Sequence, residues 1–274
     1  MNGELAESPW RGGVWRCRFA SRTPVGLGPA ALVFVALLFA DGLLMQIAAR
    51  SVNQFVLHGN LTNEHDLTKA GIASLLPVAV AIAFLAWQLA RLRGGNPPEV
   101  LSLRPSGIGP AGTVLIAVAF IAGLYLLLAL LVTLSGIDVA QYTPGPHGES
   151  PTTGSAGKVK EAMFDFAGNP RLFLLVLPSV ALGAPLAEEL IFRGQIFTAL
   201  VHSRAGFSGA TLITSTAWAL MHFTEPWLAI GQIFVMGMVL GYLLYRFGSL
   251  WLTIACHGAW NLIYLLLIFG TGGS

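Results

Sequence analysis

Apolar residues gather into seven runs, 28–49, 70–89, 112–134, 172–200, 208–223, 227–245 and 249–269, separated by polar or Gly- and Pro-containing stretches of which 135–171 is the longest. A helix needs roughly 20 apolar residues to cross a bilayer, and all the runs except the short 208–223 reach or approach that length. The pattern predicts an all-α fold, a polytopic membrane helix bundle of about seven transmembrane helices. The 172–200 run is long enough to tilt, or to break near Pro185 and give an eighth membrane element. No repeat of solenoid period and no separate soluble domain are visible. The organisation read here is an Arg-rich N-terminal segment (1–26), one transmembrane helical domain (27–269) and a short tail (270–274).

Composition and charge narrow the class. Hydrophobic residues make up 55% of the chain and charged residues 10%, against roughly 25% charged in an ordinary soluble domain. The formal net charge of +2, with no basic run interleaved with aromatics, gives no footprint for a nucleic-acid partner. The partners expected are membrane lipid and a membrane-associated peptide or protein. Cys17 lies in an Arg-rich segment and Cys256 in an apolar run, so the two form no disulfide framework and read as inert thiols. Arginines ahead of a long first span make 1–49 an uncleaved anchor. Lys and Arg concentrate on the cytoplasmic side of membrane proteins. Arg11, Arg16, Arg18 and Arg22, then Arg91, Arg93 and Arg104, then Arg204 and Arg246 alternate as that rule requires, which places the N-terminus in the cytoplasm of a multi-pass cell-membrane protein.

Residues 144–157 are rich in Gly, Pro, Ser and Thr and read as a linker. Gly157-Lys158 fails as a phosphate-binding loop, because Thr152 stands at its first glycine and Val159 follows the lysine. Beyond it, Val159, Ala162, Met163 and Phe166 recur at helical spacing among Lys160, Glu161 and Asp165, as in a short interfacial helix. Gly237 and Gly241 form a small-xxx-small pair suited to close helix packing.

Three apolar runs of the C-terminal half carry polar groups four residues apart, the spacing that places side chains on one helix face: Glu189 with Arg193, with Glu188 adjacent, then Trp218 with His222, then His257 with Asn261. At ~1.5 Å per residue from the expected cytoplasmic ends these groups lie roughly 12 to 20 Å deep. They can therefore meet at one level. Ionisable groups at that depth are costly and point to function, although Glu189 and Arg193 also fit a structural i,i+4 ion pair. Glu188 has no evident local partner, and adjacent carboxylates in a medium of low polarity resist joint ionisation, a setting suited to a general base. Asp41 in the first run has no assigned role. Ser215, Thr216, Gln232 and Thr253 are expected to bond to neighbouring backbone or side chains, and His58, His65 and His147 to be exposed.

The ordered set Glu188-Glu189-Leu-Ile-Phe-Arg193, Trp218-Ala-Leu-Met-His222 and His257-Gly-Ala-Trp-Asn261 resembles the CPBP (ABI) family of intramembrane glutamic endopeptidases, related to the CAAX prenyl endopeptidase. The resemblance covers roughly 172–269. It implies that Glu188, aided by His222, activates a water that attacks a peptide carbonyl, that His257 and Asn261 stabilise the oxyanion, and that Glu189 and Arg193 brace the site. It also implies no metal and no cofactor. Trp218 stands where the family usually has Phe, and both read as wall residues. Two alternatives stay open: a zinc-dependent membrane peptidase, since Glu and two His can bind the ion although no His-Glu-xx-His motif is present, and a non-catalytic, immunity-type membrane partner or scaffold in which the cluster only fixes the bundle. A proton relay is a third use of membrane Glu and His.

Overall fold

A computed structural model describes residues 17–19, 26–136, 161–166 and 169–272. Most of the Arg-rich segment, the 144–157 linker, the Gly157-Lys158 pair and His147 lie outside the described residues. Among those described there are helices and turns and no strands. The helices are α1 (Leu27–Val52), α2 (Glu64–Leu92), α3 (Pro97–Val100), α4 (Gly109–Ser135), α5 (161–166), α6 (170–201), α7 (Gly206–Met221), α8 (Trp227–Phe247) and α9 (Leu250–Gly272). Six of them, α1, α2, α4, α6, α8 and α9, are long and apolar enough to cross a membrane. The chain is a polytopic membrane helix bundle. The expected seventh span, α7, has 16 residues and falls below that length.

Helix α6 does not break at Pro185, which takes the first turn of a helical piece where its missing N–H costs nothing. Instead the helix widens twice. Ser179–Gly183 and Leu190–Phe197 are π-helical and flank the α-helical Ala184–Glu189. A π turn shifts hydrogen bonding to i→i+5 and is frequent at functional sites. Here its groups are taken up by neighbouring helices. The amide nitrogen of Asn261 on α9 donates to the Val180 carbonyl at 3.2 Å, and a Cβ built on Gly258 would stand 2.4 Å from the Ala181 carbonyl oxygen.

The opposite face of α6 is fitted to α2 by one proline and one glycine. Pro77 inside α2 lacks the N–H that would otherwise bond to the Ala73 carbonyl one turn earlier. The Ser179 hydroxyl of α6 donates to that carbonyl at 3.1 Å. Gly183 lies directly on the α2 backbone, where any Cβ would meet Leu75 and Leu76 main-chain atoms at 2.6 to 2.8 Å. The small-xxx-small pair of α8 works as expected: Gly237 abuts Ser215 and Gly241 abuts Thr211, both on α7.

A main apolar core joins α1, α2, α4 and the C-terminal helices around Leu37, Ile82, Phe192, Phe197 and Leu244. A smaller cluster forms where Ala162, Met163 and Phe166 of α5 pack on Ile72, Val176 and Leu265, so the short helix predicted after the linker is present. His65, with its side chain 34% exposed, also has a partner that the sequence does not show. It bonds Asp165 of α5 at 2.7 Å, and Lys69 reaches the same carboxylate at 3.3 Å. Partial burial alone would raise the Asp165 carboxyl, but these partners outweigh it and hold the group below its ordinary range. The reason is reach: an amphipathic helix docked on α2 brings its acids to the α2 cations. Cys17 is exposed and Cys256 buried, and both are free thiols.

Candidate active site

The site is assembled around one side chain, Trp218, from α6, α7, α8 and α9. Trp218 is 1% exposed, at the core-facing side of α7. Its indole N–H donates to the Glu188 Oε2 at 2.5 Å. The Arg193 guanidinium lies 4.5 Å from its ring centroid, a cation–π contact. His222 and His257 stand edge-on to it, with centroids 5.7 and 5.1 Å away. The sequence reading of Trp218 as a wall residue equivalent to Phe is therefore incomplete, because a phenyl ring offers no donor to Glu188.

The two adjacent acids of α6 meet different fates. Glu189 is sealed at 0% exposure. One of its oxygens, Oε1, accepts from Arg193 Nη1 at 2.9 Å and faces His257 Nδ1 at 3.2 Å. A buried carboxylate is tolerable only with such partners. Arg193, equally buried, extends Nη2 to the Gly237 carbonyl at 3.5 Å. That reach is open because position 237 has no side chain: a Cβ there would stand 3.1 Å from Nη2. Glu188, by contrast, is only partly buried, and Oε2 is its one hydrogen-bonded oxygen among the described residues.

The imidazoles are oriented by the partners of their Nδ1 atoms. His222, just past the end of α7, places Nδ1 2.9 Å from the Trp218 carbonyl. A carbonyl only accepts, so Nδ1 carries the hydrogen and the neutral ring presents Nε2 as an acceptor. By the same reasoning the Glu189 carboxylate fixes a hydrogen on His257 Nδ1 and directs Nε2 away from that acid. Asn261 uses one amide hydrogen on Val180 and retains the other.

Six of the seven residues singled out in the sequence, Glu188, Glu189, Arg193, Trp218, His222 and His257, are thus joined by direct contacts, while Asn261, one turn along α9 from His257, bonds the Val180 carbonyl of α6 instead. Two features escaped sequence reasoning. The indole N–H on Glu188 is one. The other is Asp41, partly buried one turn from the buried Leu37 on α1 and an acid in the electrostatic surroundings of Glu188. The signal for Asp41 was its charge in an otherwise apolar run. Of the secondary polar residues, Thr253 bonds the Leu250 carbonyl, whereas the buried hydroxyl of Ser215 has no hydrogen-bond partner among the described residues. Among the described residues, no three His, Cys, Asp or Glu side chains are grouped as metal ligands.

Comparison with known proteins agrees with this neighbourhood. Residues 170–263 match the family model described as type II CAAX prenyl endopeptidase Rce1-like. That stretch, about a third of the chain, is similar to the Rce1-like family. It contains α6 to α8 and most of α9, and with them every residue of the cluster except Asp41. No curated protein and no solved structure matches the chain.

Proposed function

We propose that the protein is a metal-independent intramembrane endopeptidase that hydrolyses a peptide bond of a membrane-associated or lipidated substrate with water activated by Glu188. The observation that carries this reading is the unequal treatment of the two acids. Glu189 is sealed and bonded to a cation and an imidazole, while Glu188, partly exposed on the same helix, keeps one carboxylate oxygen unbonded among the described residues. The first arrangement braces a site; the second suits a proton acceptor.

In the proposed step, Glu188 takes a proton from a water whose oxygen attacks the scissile carbonyl carbon. Nε2 of His222 is a second acceptor for the water's hydrogens. Negative charge develops on the carbonyl oxygen, and the free amide hydrogen of Asn261, with Nε2–H of His257 once that ring carries both protons, donates to it. The tetrahedral intermediate collapses as the C–N bond breaks. Glu188 returns its proton to the departing nitrogen, giving a carboxyl group and an amine. Glu189 and Arg193 keep His257 in register. The N-terminus is assigned to the cytoplasm from the Lys and Arg distribution, which sets the cluster at a depth reached by a substrate anchored in the membrane.

The test compares membrane peptide profiles of cells carrying the wild type and Glu188→Gln. We expect a peptide processed by the wild type to persist uncleaved with the variant at equal protein abundance. Unchanged processing by Glu188→Gln would favour the non-catalytic partner.

A further inference from the structure

Among the described residues, Glu188 receives one hydrogen bond from the protein, and its donor is an indole. The acid needs such a hold. Glu189 sits beside it on α6, and Asp41 of α1 adds a further acid to its surroundings. Like charges at close range in a poorly screened medium drive a mobile carboxylate away. Arg193, the nearby cation, attracts Glu188 through its charge, but its hydrogen bonds among the described residues go to Glu189 and the Gly237 carbonyl.

Trp218 is built to supply the restraint. The ring is fixed on one face by the Arg193 guanidinium and at its sides by both imidazoles. An indole has a single N–H, so a locked ring donates in a single direction. We propose that Trp218 is a positioning residue whose indole N–H clamps Oε2 of Glu188 and thereby presents Oε1 as the proton acceptor. The proposal rests on Glu188 being the base. It makes the indole nitrogen, and not the aromatic surface alone, part of what the reaction needs.

Trp218→Phe isolates that atom. The His222 anchor is the backbone carbonyl at 218 and survives the change, and a phenyl ring retains a face for Arg193. With purified full-length protein in nanodiscs and a peptide cleaved by the wild type, kcat should fall on the order of tenfold while KM stays within about twofold, because a misplaced base slows chemistry more than binding. An independent readout is the Trp218 indole N–H resonance in protein with labelled tryptophan, assigned by its disappearance in Trp218→Phe. It should move upfield in Glu188→Ala. Wild-type kcat in Trp218→Phe, or an indole resonance indifferent to Glu188→Ala, overturns the proposal. If the phenylalanine variant does not fold, the benzothiophene isostere of tryptophan at 218 keeps the shape and lacks the N–H, and wild-type kcat in that protein is equally fatal. Cleavage retained by Glu188→Gln would instead defeat the assignment of the base, whatever the resonance shows.

Discussion

Helices α4 and α6 are both apolar and long enough to span a bilayer, yet the protein uses them in opposite ways. The most apolar window of α4 has a mean hydropathy of 2.9 and only 11% of its residues buried, whereas that of α6 has 1.6 and 50%. In water the more hydrophobic segment would be the interior one. In lipid the solvent is as apolar as a leucine side chain, so apolarity alone does not draw a helix inward. Leu115, Leu126 and Leu134 of α4 face outward, and the charged pair of α6 is fully enclosed. Helices in this protein are sorted to the interior by polar groups that need partners and by small residues that allow close approach.

The comparison is sharpened most by removing the cation at its centre. Arg193→Leu leaves Glu189 sealed without its cation, and breaking a buried pair on one side costs about 3–5 kcal/mol. Reversible unfolding in mixed micelles should show a loss of that size. A change under about 1 kcal/mol would mean that the pair does not hold the bundle.

A glycine pair provides the next effect. Gly183 of α6 has no room for a Cβ against the α2 backbone, while Gly123 of α4 has nothing within 4 Å of its Cβ position. Gly183→Ala should destabilise by about 1–3 kcal/mol, the usual cost of forcing a methyl into a packed interior. Gly123→Ala should be neutral or stabilising by up to about 1 kcal/mol through helix propensity. Equal effects in the same unfolding assay would contradict the division between an inner and an outer helix.

The sequence made much of this arrangement legible, for reasons particular to membranes. The spans show as apolar runs because each backbone must satisfy its own hydrogen bonds in lipid, and the residues of the cluster stand out because charge is so rare there. Spacing by four correctly suggested that Glu189 and Arg193 pair. Hidden from the sequence were relations between helices distant along the chain: the indole of Trp218 on Glu188, the approach of Asp41, and the docking of Asp165 on His65 and Lys69. Periodicity reports which face a residue occupies and is silent about which neighbour covers that face. The π turns of α6 were likewise invisible, since Ser179–Gly183 and Leu190–Phe197 have compositions ordinary for any apolar helix. Pro185 pointed to a break and proved to start a turn, because the preceding π segment had already opened the hydrogen-bond ladder.

The central claim is that Glu188 activates water without a metal, and purified protein in nanodiscs decides it. Wild-type and Glu188→Gln proteins are supplied with a membrane-anchored peptide processed in cells, in the presence of a strong chelator. The account predicts sustained cleavage by the wild type under chelation and no turnover by Glu188→Gln at unchanged thermal stability. Cleavage by Glu188→Gln, or wild-type activity lost to the chelator and restored by Zn²⁺, would contradict it.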